Sequence, residues 1–247
     1  MTAVPPLSRR AAQPVHYPDS DGQPMAENTL QYRWIVTIVG GLDRMLPHDF
    51  VAGDLLWYPV EGDNKTRAAP DAMVALGRPK GDRGSYRQWE EGGVAPQVVF
   101  EVWSPGNTLR DHERKRTFYL RYGVDEYYIW DPDRLELLGW VREGELFHEV
   151  VEMDGWVSPR LGLRFARAED GDLRLFDPAG RPFMTFAELV AEVDAQRAVA
   201  DEQRALAEAQ RAVADEQRAL AEAQRQRAEA AEAELAALRA ALAARGA

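Results

Sequence analysis

Apolar and polar positions divide the chain into short alternating elements and one long uniform one. Between Met25 and Met45, Leu30, Trp34, Ile35, Ile38, Val39 and Leu42 recur at helical spacing, with Asn28 or the preceding segment as cap. VAGDLLWY at 51–58 reads as a strand, with Asp54 ambiguous within it, and 59–68 as a polar loop. Ala72 to Leu76 forms a short apolar run after Pro70-Asp71. Residues 77–96 read as a long loop rich in Gly, Arg and Lys. Its Lys80, Arg83, Tyr86, Arg87 and Trp89 suit either nucleic-acid contact or plain solvent exposure. Val98 to Trp103 is rich in strand formers and is stopped by Ser-Pro-Gly-Asn, which predicts a buried strand. Asn107 or Thr108 then caps a helix ending at Gly123, with Asp111 placed for a capping box. Glu126 to Asp131 is a further strand, 135–141 and 145–153 form a hairpin, and 161–165 and 173–176 read as added antiparallel strands extending a sheet.

From Phe186 the texture changes. AQRAVADEQRALAE at 195–208 recurs intact at 209–222, two heptads per repeat. Gln196, Gln203, Gln210, Gln217 and Gln224 fall every seventh residue, as do Val199, Leu206, Val213 and Leu220. Neither Gly nor Pro interrupts 183–245. The pattern predicts a long helix with a weak coiled-coil seam, against the alternative of a solitary charged helix held by Glu–Arg pairs.

Three ionisable residues stand where packing alone favours apolar ones. Alternation puts Val99, Glu101 and Trp103 on one strand face. A carboxylate in such a run costs several kcal/mol unless paired, protonated or bound to metal. Asp71 opens the preceding apolar run. Lys115, Phe118, Tyr119 and Tyr122 share one helix face. Two carboxylates on adjacent strands can hold a divalent cation through oxygen, and a nearby ammonium can steady a water nucleophile or developing phosphorane charge. That combination suits phosphodiester hydrolysis. Local alternatives exist: Asp71 capping a turn, Glu101 paired with an arginine, Lys115 bonded to Asp111.

The segments PDAMV, EVWSP, DHERKRTFY and GVDEYYIWDP resemble the Uma-two family of restriction-endonuclease-like proteins, within the wider PD-(D/E)XK nucleases. The similarity runs over roughly 27–185 and is densest over 69–132. It implies an α/β (α+β) fold: a mixed sheet flanked by helices, with extra antiparallel strands and the long C-terminal helix. It implies Asp71, Glu101 and Lys115 as catalytic residues. It implies Mg²⁺ or Mn²⁺ on Asp71, Glu101 and the Val102 carbonyl, with Glu27 as a further candidate ligand. The departure from the parent motif is Trp103, which stands where a lysine is usual. The resemblance implies that the lysine has migrated to the helix, as Lys115.

Composition sharpens this. The chain has 247 residues and a net charge of −11. Residues 1–194 carry 22 basic and 32 acidic side chains, and 195–247 carry 8 and 9, so the acidity lies in the body. That counts against simple non-specific DNA binding, which runs on phosphate neutralisation by Lys and Arg. A local basic cleft on an acidic body stays open, since Arg110, Arg114, Lys115, Arg116 and Arg121 crowd the helix. Without cysteine there are no disulfides or thiolate metal sites, and the four histidines lack zinc-binding spacing. No apolar run is long enough to span a membrane and no signal peptide is evident, so a cytoplasmic protein is expected. The expected layout is a disordered segment at 1–24, a nuclease-like domain at 25–185 and a coiled-coil tail at 186–247, with a homo-oligomer, such as a dimer through 195–242. Three functions follow: a metal-dependent endonuclease acting on DNA, a catalytically inactive nuclease-fold interaction module, or nucleic-acid binding without cleavage.

Overall fold

The computed structural model describes residues 15–20, 22 and 24–245, with side chains through Arg239. Most of the 1–24 segment expected to be disordered lies outside the described residues. Its described part packs on the body, where the Tyr17 ring meets Tyr58 and Trp89.

The elements run α1 (Thr29–Met45), β1 (Phe50–Ala52), β2 (Trp57–Tyr58), β3 (Ala72–Ala75), β4 (Tyr86–Arg87), β5 (Val98–Val102), α2 (Leu109–Tyr122), β6 (Glu126–Asp131), β7 (Glu136–Glu143), β8 (Leu146–Glu149), β9 (Arg164–Arg167), β10 (Leu173–Phe176) and α3 (Phe186–Arg245). Six strands form a mixed sheet in the order β1-β3-β5-β6-β7-β8. Every pairing in it is antiparallel except β5 with β6, which are parallel and joined through α2.

Strand alternation sorts the core into two layers. Val98, Phe100 and Val102 of β5 face Trp34, Ile35, Ile38 and Leu42 of α1. Val99 faces the opposite layer with Met73, Tyr127, Trp140 and Tyr119 of α2. Each sheet face therefore carries one helix, and odd-numbered β5 residues look toward α2.

Three expectations need correction. The strand expected over 51–58 breaks at Gly53-Asp54, because Asp54 adopts φ 48° and its N–H turns to the Pro70 carbonyl. The chain thus leaves the sheet edge, and Trp57 and Tyr58 pair instead, in parallel, with Tyr86 and Arg87. The 77–96 segment is accordingly no free loop. Tyr86 is fully buried, Arg83 is bonded to Glu91 and lies over the Phe50 ring, and Lys80 pairs with Asp43. Finally, β9 and β10 do not extend the main sheet; they pair with each other and bring Phe165, Leu173 and Leu175 onto the α1 layer.

The C-terminal unit, residues 187–247, is described by itself. Its described residues, 187–245, lie in α3, whose Val199, Leu206, Val213 and Leu220 are each more than half exposed. No described helix is long and apolar enough to cross a membrane.

Candidate active site

The β3–β5 register pairs Ala72 with Phe100, so Asp71, one residue before β3, falls beside Glu101. Both acids are buried. Asp71 Oδ2 accepts the Val102 backbone N–H at 2.6 Å. Helix α2 supplies the partners of Glu101. Its start is fixed by a full capping box between Thr108 and Asp111, and its end by Gly123 at φ 104°. Between those stops, Lys115 and Tyr119 project one turn apart toward β5. Lys115 Nζ lies 2.6 Å from Glu101 Oε2, and the Tyr119 hydroxyl donates to Oε1 at 2.5 Å. Lys115 therefore bonds across space to Glu101, while Asp111 is engaged by Thr108 and Arg114.

The electrostatics follow from burial and proximity. Desolvation first, then the adjacent Glu101 charge, pushes the Asp71 carboxyl well above the usual carboxylate range. Burial works against the charge on Lys115, but Glu101 and Asp71 outweigh it and hold the ammonium above its ordinary value. Burial and then Glu101 push the Tyr119 phenol far up, so it remains a hydrogen-bond donor.

The remaining sequence candidates lie close by. The Val102 carbonyl accepts the Gln31 side-chain amide at 2.9 Å. Glu27 precedes α1 and does not sit on it, and its Oε2 accepts the Ser104 hydroxyl at 2.5 Å. Among the described residues, no three His, Cys, Asp or Glu side chains are grouped as a metal-binding set. Trp103, in the usual lysine position, stacks on His112.

A cleft of about 730 Å³ opens beside Asp71 and Lys115. Asp71, Lys115, Glu27 and Gln31 line it, and Lys65, Arg67, Arg114 and Arg121 add positive charge to its walls. Reading the sequence assigned no role to Tyr119, Gln31, Lys65 or Arg67. Tyr119 carried a signal, its position four residues past Lys115. Gln31 meets its partner 71 positions away, and Lys65 and Arg67 lie in a polar loop that borders the cleft.

A mixed sheet with a helix on each face, its acids meeting where β3 and β5 adjoin, is a restriction-endonuclease-like α+β build. The chain belongs to the Uma2 family: the family model, described as "Putative restriction endonuclease", matches residues 23–168. A solved structure titled as a "putative nuclease belonging to DUF820", from Anabaena variabilis, is 16% identical and covers 56% of this chain and 78% of its own, with a TM-score of 0.41. No curated protein matches the chain.

Proposed function

We propose that this protein is a divalent-metal-dependent endonuclease that hydrolyses phosphodiester bonds in DNA, with Asp71, Glu101 and Lys115 as its catalytic residues. The observation that carries this reading is the contact between Lys115 Nζ and Glu101 Oε2 at 2.6 Å, beside buried Asp71, where Asp71 and Lys115 border a cleft that Lys65, Arg67, Arg114 and Arg121 also line. Burial first, and then the neighbouring Glu101 charge, raises the cost of ionising Asp71. That donor set fits a hard cation. Mg²⁺ or Mn²⁺ takes oxygen ligands and keeps several waters, which the open cleft can supply. Asp71 and Glu101 would hold it, and the Val102 carbonyl retains a lone pair beside its bond to Gln31. When bound, such an ion supplies Lewis-acid stabilisation of charge on the phosphoryl group. The chain's own residues do the rest. Lys65, Arg67, Arg114 and Arg121 attract and orient the phosphate backbone. Lys115 places a cation beside the attacking water and the charge that builds in the transition state.

The test is cleavage of supercoiled plasmid in Mg²⁺ or Mn²⁺, with EDTA and Glu101→Ala as controls. Wild type should nick or linearise the plasmid only with the ion present. Lys115→Ala should lose on the order of 10²–10³ in rate, the usual cost of removing one transition-state cation or donor. A wild-type protein that binds DNA yet leaves it intact under every ion would favour an interaction module with lost catalysis.

A further inference from the structure

Each of the two buried acids has one oxygen held by a buried, immobile donor. Asp71 Oδ2 is held by the Val102 N–H. Glu101 Oε1 is held by Tyr119, whose ring is fully buried and packed against Trp57, Phe118 and Tyr127. Tyr119 has no room to turn away. Releasing it would strand a buried hydroxyl and a buried carboxylate oxygen, each costly to leave unpaired. Oε1 is engaged in the buried layer, so Oε2 is the oxygen on the accessible side, and there Lys115 sits where its ammonium and a divalent ion would repel each other. Lys115 is the movable partner. Its side chain is 30% exposed, its stem is flexible, and it borders the cleft.

We propose that Glu101 Oε2 is an exchange point. Lys115 fills it when the site is empty, and a divalent cation displaces Lys115 from it into the cleft, while Tyr119 acts as the positioning residue that keeps Oε1 out of the competition. This rests on the metal reading above and adds an order of events to it. The lysine is sheathed as an internal counter-ion until the site is loaded, and only then does its ammonium face the substrate. One cation replaces another on the same oxygen, so the buried carboxylate is never left bare.

Two measurements on the full chain test this. The first is amine labelling of wild type with an acetylating ester, read by mass spectrometry, with and without Mn²⁺. The chain has three lysines, Lys65, Lys80 and Lys115. Labelling of Lys115 should rise several-fold with Mn²⁺, while Lys80, tied to Asp43, stays constant as the internal reference. The second is calorimetric titration with Mn²⁺. Lys115→Met should bind the ion at least tenfold more tightly than wild type, and Glu101→Gln should lose binding. In a Tyr119→Phe background, where Oε1 is freed, the gain from Lys115→Met should shrink below threefold. Mn²⁺ binding that needs Glu101, with unchanged Lys115 labelling and equal affinity in Lys115→Met, would overturn the exchange and leave the metal site standing. No Mn²⁺ binding by wild type or Lys115→Met would overturn both.

Discussion

Asp71 shows how one buried carboxyl links site and stability. Its folded-state pKa is raised, first by burial and then by Glu101. The folded protein therefore holds a proton that the unfolded chain releases near the ordinary value of 3.8. Stability from this group is complete below that value and is lost as pH rises through the folded pKa. In EDTA, wild type should thus lose stability between about pH 4 and the raised pKa relative to Asp71→Asn, which keeps a side-chain acceptor for the Val102 N–H and does not titrate. Glu126, also buried with a raised pKa, contributes the same slope to both proteins and cancels. Denaturant unfolding at several pH values measures the difference. Parallel profiles would mean that Asp71 is ionised in the metal-free fold. A saturating divalent ion should flatten the wild-type slope, because it favours the ionised carboxylate.

At the scale of the element, α2 depends on its first turn. Thr108 and Asp111 exchange the hydrogen bonds of a capping box, and the helix they start carries both partners of Glu101. Thr108→Ala should cost about 1 kcal/mol, within the roughly 0.5–2 kcal/mol typical of such caps, measured as a lowered midpoint in thermal or denaturant unfolding. An unchanged midpoint would show that tertiary packing alone holds the turn. This helix was legible in the sequence because its signals are local: cap, periodic face, terminal glycine. The same holds for β5 and β6, and for three ionisable residues set on apolar faces. The pair β2–β4 was not legible, since two-residue strands have no period and their pairing spans some thirty residues. A left-handed Asp54 in an otherwise strand-like run gave no warning either. Gln31 escaped because its partner, the Val102 carbonyl, lies 71 positions away. Lys65 and Arg67 sit in a polar loop whose composition says nothing of the cleft it borders.

At the scale of the whole molecule, the chain divides at residue 186, and the body holds every residue of both core layers. Deleting 187–247 should leave the unfolding midpoint of the body within a few degrees, since every described side chain removed is exposed. Light scattering should then report a lower oligomeric state than the full chain if α3 is the means of self-association. Equal states before and after deletion would remove that role from α3. The duplicated stretch in this helix also acts as a ruler with two equal marks. Residues 195–208 and 209–222 are identical, so two parallel copies slid by one mark, about 21 Å at 1.5 Å per residue, meet with the same side chains across the overlap. Nothing in the repeated stretch itself distinguishes the flush alignment from the slid one except the length left in contact. A slid pair ends in an unpaired mark that a third helix fits equally well. If α3 pairs in parallel, such a seam would carry its own stagger, and growth along it would be graded by overlap length instead of closing at a fixed number of chains.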